Sequence, residues 1–191
     1  MNPTRRRLLE MGAAAAGLTL AGATGRPAFA GGTAQAATRN DAPTRRRVAL
    51  HNLHTGERLE VEYFRGDYLP DALASIRVLL RDFRNDEQHA IDPALMDYLV
   101  EVAHHAGVDP AFDVISGYRS AQTNEKLRER SAGVARHSLH LEGRAIDVRL
   151  AGVDCRELAG AALTLARGGV GYYRRSDFVH LDTGLYRTWK G

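Results

Sequence analysis

The sequence predicts one compact α+β domain, residues 47–191, with a small antiparallel sheet and flanking helices, behind an N-terminal segment of different character. Three observations carry that prediction. Short strand-like segments occur in pairs joined by turn residues. Helical patterns fall between them without regular alternation. A chain of 191 residues suffices for one domain plus flanks.

Residues 1–30 read as an export signal. Arg5-Arg6-Arg7 stands directly before a short stretch of Ala, Gly and Leu, and Ala28-Phe29-Ala30 supplies a small-x-small cleavage site. The consecutive arginines favour the twin-arginine type and its export machinery. The apolar stretch is too short and too weakly apolar for a permanent membrane span. Four arginines and one acid leave with this segment, so 26 basic against 23 acidic side chains become 22 against 22. A near-neutral mature domain gives no bulk-charge argument for nucleic acid. Residues 31–46, rich in Gly, Ala, Thr and Arg and without periodicity, read as a flexible linker.

Within the domain, Val48 to Leu53 reads as a strand, His54-Thr55-Gly56 as a turn, and Leu59, Val61 and Tyr63 alternate with acids as a half-buried strand. Pro70 opens a helix with Leu73, Ile76, Leu80 and Phe83 on one face. Asp92-Pro93 caps the next, which carries Leu95, Leu99 and Val102 and stops at Gly107. Phe112 to Ser116 is a short strand and Ser120 to Arg130 a polar helix. Ala145 to Leu150 alternates as a strand. Asp154 and Glu157 form a capping box for a helix running to Gly168-Gly169. Val170 to Tyr173 and Phe178 to Asp182 make a closing hairpin. The lone Cys155 forms no internal disulfide and fits the core at a helix start. Tyr172, Tyr173 and Trp189 are assigned to core and hairpin packing, with the lining of a groove as the alternative, and His137 to an exposed loop, with contact to substrate as the alternative.

Three segments carry side chains suited to chemistry: Ser116 to Ser120, Ser138 to Asp147, and Asp177 to Asp182. Asp147 lies between Ile146 and Val148, so it faces away from the side they bury. His180 and Asp182 likewise share the face opposite Val179 and Leu181. Two imidazoles and one carboxylate are a zinc ligand set that leaves a position for water. The same residues also serve ordinary ends, His as a surface residue and Asp in a hydrogen bond or salt bridge.

The segment Ser138-Leu139-His140-Leu141-Glu142-Gly143-Arg144-Ala145-Ile146-Asp147 resembles the zinc signature of the D-Ala-D-Ala metallopeptidase family, with Ser, His, Gly, Ala and Asp at its fixed offsets. That family includes D,D-dipeptidases, L,D- and D,D-carboxypeptidases and phage endolysins, and shares its fold with the Hedgehog signalling domain. Ser116 to Ser120 and Phe178 to Gly184 resemble its exported murein endopeptidase branch, and the likeness runs from Arg47 to Trp189. The resemblance implies one zinc per chain on His140, Asp147 and His180. It implies Asp177 as general base, three positions before the last His, and Arg119 as the group that stabilises the oxyanion or binds substrate. Asp177 and His180 have an odd offset, so the base must lie in the turn before the strand or a bulge must intervene; Asp182 is the second choice, or else the partner that orients His180. The implied function is hydrolysis of peptidoglycan peptides in the periplasm or cell envelope. Carboxypeptidase action and a non-catalytic, zinc-containing wall-binding module are the alternatives. A serine or cysteine hydrolase is the weakest reading.

Overall fold

The computed structural model describes residues 44–131 and 133–191. The export signal and most of the expected linker lie outside them. Among the described residues, no helix is long and apolar enough to cross a membrane.

The elements run β1 (Arg45–Asn52), β2 (Arg58–Arg65), α1 (Pro70–Leu79), α2 (Pro93–His105), β3 (Ala111–Ser116) and α3 (Ala121–Arg130). A short 3-10 turn (Leu139–Glu142) follows, then β4 (Ala145–Leu150), α4 (Cys155–Leu165), β5 (Gly169–Tyr173), β6 (Phe178–Asp182) and β7 (Arg187–Lys190). The α+β class holds. The sheet, however, is neither small nor purely antiparallel. Its seven strands are ordered β2-β1-β3-β4-β6-β5-β7, and the β1–β3 and β5–β7 pairs are parallel. A parallel neighbour needs a crossover; α1 and α2 provide it between β1 and β3.

The alternation read in the sequence decides what each face does. Val48, Leu50, Val114, Ile146, Val148, Val179 and Leu181 point to one side, where they form a continuous core with α1, α2 and α4. The other side of β4, β5 and β6 is left for polar work. Helix α3 is the exception among the helices: its buried residues are Thr123 and Asn124, so it borders the polar side rather than the core.

Caps fall where expected. Asp92 accepts a hydrogen bond from the Ala94 amide, and Asp154 accepts from those of Arg156 and Glu157. Three boundaries differ. Strand β1 starts at Arg45, inside the expected linker, because Arg46 is drawn onto the buried Asp97 carboxylate at 2.6 Å. Helix α1 ends at Leu79, and Phe83 leaves its face to stack on His54 at 3.8 Å. Helix α4 ends at Leu165, with Ala166 left-handed at φ 50°, rather than at Gly168. The cause lies in Gly168, whose Cα is pressed so closely on the Asp182 carbonyl that a Cβ there would lie 1.8 Å from its oxygen. The chain must leave the helix early to make that approach. Strand β7 had no alternation signal and was not expected.

Candidate metal centre

The SxHxxGxAxD segment is a piece of local engineering around His140. Ser138 caps the 3-10 turn by accepting the His140 amide. Gly143 ends the turn at φ 65°, and a Cβ on it would lie 2.0 Å from the Ala90 carbonyl oxygen. Only glycine suits both demands. Ala145 is small and buried opposite Asp182. The chain then enters β4 with Asp147 on the polar face.

The Ser116 to Ser120 loop is built as tightly. A bulge at Ile115 sets Ser116 opposite Asp147 and turns the end of β3. Gly117 packs against Leu80, where a Cβ would come within 2.6 Å of a carbonyl oxygen. Tyr118 anchors the loop by donating to Glu87 at 2.8 Å. Ser120 donates from its amide and its hydroxyl to the fully buried Asp82 carboxylate, at 3.0 and 2.7 Å. The result is a fixed position for Arg119 and for the Gly117 carbonyl.

His140, Asp147 and His180 converge, all buried. His140 Nε2 lies 3.2 Å from His180 Nδ1 and 3.4 Å from Asp147 Oδ1, and His180 Nδ1 lies 2.9 Å from Asp147 Oδ1. Ligands held at tetrahedral zinc distances are about 3.3 Å apart, so the spacing fits the metal. The protonation pattern fits too. His140 Nδ1 is 2.7 Å from the Gly117 carbonyl, which only accepts, so the ring proton is there and Nε2 is bare. His180 Nε2 is 3.0 Å from Asp182 Oδ2, which places a proton on that nitrogen and turns Nδ1 toward the cluster. Three lone-pair donors facing one another at this range need a cation between them, a proton or a metal ion.

The charges follow from the same contacts. Burial lowers the pKa of His140. Burial also opposes charge on His180, but hydrogen bonds to Asp147 and Asp182 outweigh it and push the ring up to about 8. Burial would raise Asp147, yet the two imidazoles hold it well below the usual carboxylate range. Arg119 lies beside the cluster, its Nη2 3.8 Å from Asp147 Oδ2. Its Nε is buried with no hydrogen-bond partner. A guanidinium with donors to spare is poised for an oxygen-bearing ligand.

The two expected bases lie differently. Asp182 is fully buried and accepts from Gly169 N, Gly184 N, both terminal nitrogens of Arg187 and His180. A carboxylate so saturated has no free oxygen for a water proton; it orients His180. Asp177 does lie in the turn before β6, at φ 52°. There it is exposed, with Oδ2 3.2 Å from Arg149 Nε. It does not line the cleft, and the structure does not bring it to the cluster.

Sequence reasoning ranked the far wall second. One row crosses the sheet, pairing Ser116 with Asp147, Asp147 with His180, His180 with Gly171, and Gly171 with Trp189. The Trp189 ring reaches the His180 ring at 5.0 Å across Gly171. Tyr173 and Trp189 line the cleft of about 420 Å³ in which the ligands lie, as does His137, so the groove reading holds for them over the default of packing and an exposed loop. The available signal was Gly169-Val170-Gly171, two glycines on one face of a strand, a mark of close approach by neighbours.

The nucleophile alternatives find no support here. Ser120 is occupied with Asp82. Cys155 is buried under α4, where desolvation and then Asp177 push its thiol up to about 11.

Comparison with known proteins agrees with this geometry. Residues 40–189 match the family described as peptidoglycan L,D-endopeptidase MepK. The chain is similar to the peptidoglycan L,D-endopeptidase MepK of Escherichia coli (strain K12), 41% identical over 97% of this chain and 96% of that protein. It is also similar to the probable peptidoglycan L,D-endopeptidase MepK of Haemophilus influenzae, 42% identical over 78% of this chain and 81% of the other. Likeness of this extent, over the segments that build the cluster, establishes kinship: the chain belongs to the peptidoglycan L,D-endopeptidase MepK family.

Proposed function

We propose that this protein is an exported zinc peptidase that hydrolyses peptide bonds in peptidoglycan, acting as an endopeptidase on stem peptides or cross-links. The observation that carries the reading is the convergence of His140 Nε2, Asp147 Oδ1 and His180 Nδ1 at tetrahedral-edge distances, each imidazole proton-locked by a partner outside the cluster. The names of the relatives favour an L,D-type bond over carboxypeptidase action. The arginine-led segment at residues 1–30 supports twin-arginine export to the periplasm or cell envelope, where the polymer is.

His140, Asp147 and His180 would hold the zinc, which supplies carbonyl polarisation and a water of lowered pKa when bound. The chain's own residues do the rest. Gly117 and Asp182 keep the two rings in the ligating tautomer. Arg119, anchored through its loop to Asp82 and Glu87, holds the oxygen that gains charge as the scissile carbonyl is attacked. For proton transfer, the outer oxygen of Asp147 and the imidazole of His137 are the acceptors that line the cleft. Asp177 would serve as base only after releasing Arg149 and turning toward the cleft.

Metal analysis and muropeptide digestion of the mature protein beside His140→Ala and His180→Ala test the reading. One zinc per chain and conversion of cross-linked muropeptides into uncross-linked products are expected of the wild type, with both lost in each variant. Zinc binding without cleavage of any muropeptide would leave the wall-binding module instead.

A further inference from the structure

We propose that the Tyr173 hydroxyl is a second hydrogen-bond donor to the substrate oxygen that becomes negatively charged, acting beside Arg119. This rests on the peptidase reading and adds a residue that touches the reacting group.

Indole nitrogen is a donor only. Trp189 Nε1 lies 2.9 Å from Tyr173 Oη, so the tyrosine oxygen is the acceptor and its own proton must point elsewhere. Among the described residues nothing accepts that proton. Tyr173 lines the cleft that also holds Arg119 and the three ligands. A free phenolic donor and the Arg119 guanidinium thus line the same cleft.

The hydroxyl is also held still. The Tyr173 ring stacks on Phe178 at 4.5 Å and 16°. Gly191 also lies against the ring, and a Cβ there would come within 2.2 Å of it. Trp189 is fixed in turn by its contact with His180 across Gly171, whose missing side chain makes room; a Cβ there would lie 2.5 Å from the indole. The tyrosine oxygen is therefore tied through one indole to a metal-ligating imidazole. Donors fixed in advance at the site of developing charge are what lowers a barrier to acyl transfer. During attack the carbonyl oxygen becomes anionic, and Tyr173 shares its proton in a hydrogen bond without giving it up.

Tyr173→Phe removes the oxygen and keeps the stacked ring. Trp189 is the only tryptophan in the chain, so its fluorescence follows binding in the cleft directly. In Tyr173→Phe, zinc content and melting temperature should match the wild type. The kcat on muropeptides should fall roughly 10- to 100-fold, with KM changed by less than about twofold, as for a contact made only in the transition state. Affinity for a phosphinate dipeptide, read from Trp189 emission, should weaken by a similar factor. A variant that keeps wild-type kcat and wild-type phosphinate affinity, while the wild type cleaves, overturns this assignment and leaves the peptidase reading intact. A zinc-loaded wild type that neither cleaves nor binds the phosphinate removes both.

Discussion

On the zinc-peptidase reading, His180 is the residue on which metal loading turns. It must be neutral to bind zinc, yet in the metal-free site Asp147 and Asp182 push its pKa up to about 8. The raised value means that the charged ring stabilises the metal-free fold fully below the unfolded value near 6.5, and this contribution is lost as pH rises through about 8. Zinc competes with that proton, so affinity should weaken steadily as pH falls below about 8. Calorimetric titration with zinc at pH 7, in buffers of different ionisation heats, should show about one proton released per metal, declining toward zero by about pH 9. Proton release independent of pH across that range would contradict the assignment. At this scale the sequence was informative where spacing dictates chemistry. Asp147 and His180 were legible because period-two alternation puts them on the face opposite the core, and His140, which sits in a 3-10 turn, because the segment Ser138 to Asp147 resembles a family zinc signature. Asp177 was not, because its backbone turns through positive φ and delivers the carboxylate to Arg149. Nor was the open donor of Tyr173, which depends on a strand pairing that no local pattern announces.

Strand β5 shows how one element sets the spacing of its neighbours. Gly169 lets Arg187 reach Asp182 across it, and Gly171 lets Trp189 reach His180. With side chains at these two places, contacts between strands two positions apart in the sheet would be blocked. Gly171→Ala puts a methyl group 2.5 Å from the indole, so Trp189 must shift. The cost should be about 1–3 kcal/mol of stability, the usual range for overpacking. Urea unfolding would measure it, and the emission of Trp189 should move as the indole loses Tyr173. An unshifted spectrum with unchanged stability would mean that the row across the sheet tolerates movement. The hairpins, the caps at Asp92 and Asp154 and the strand at Ala145 to Leu150 were readable from local pattern alone. The parallel β5–β7 pair and the early end of α4 were not, since both follow from contacts with β6 that are remote in sequence.

Across the whole molecule, the halves of the sheet are secured by different means. The β4–β6–β5–β7 half carries the polar row of the site. The β1–β2 half is fastened to α2 by a buried carboxylate, Asp97, which accepts from Tyr63 at 3.0 Å and Tyr68 at 2.6 Å and pairs with Arg46 at 2.6 Å. Burial alone would raise the pKa of Asp97, but the hydrogen bonds from Arg46, Tyr68 and Tyr63 outweigh it and hold it below 3.8. A depressed folded pKa gives stability that is complete above the unfolded value and lost as pH falls through the folded one. Arg46→Ala removes the only cation of this cluster and leaves the carboxylate to two phenols. Unfolding free energy at pH 7 should drop by about 2 kcal/mol, less than for a wholly buried pair because the arginine is partly exposed. The acid-unfolding midpoint should move to higher pH, because Asp97 then titrates nearer its ordinary value. The metal cluster belongs to the other half, so zinc content and kcat should be retained. Urea and acid titrations of Arg46→Ala beside the wild type measure both shifts. A variant of unchanged stability would show that the tyrosines alone satisfy Asp97, whereas loss of zinc together with stability would show that the two halves of the sheet yield as one.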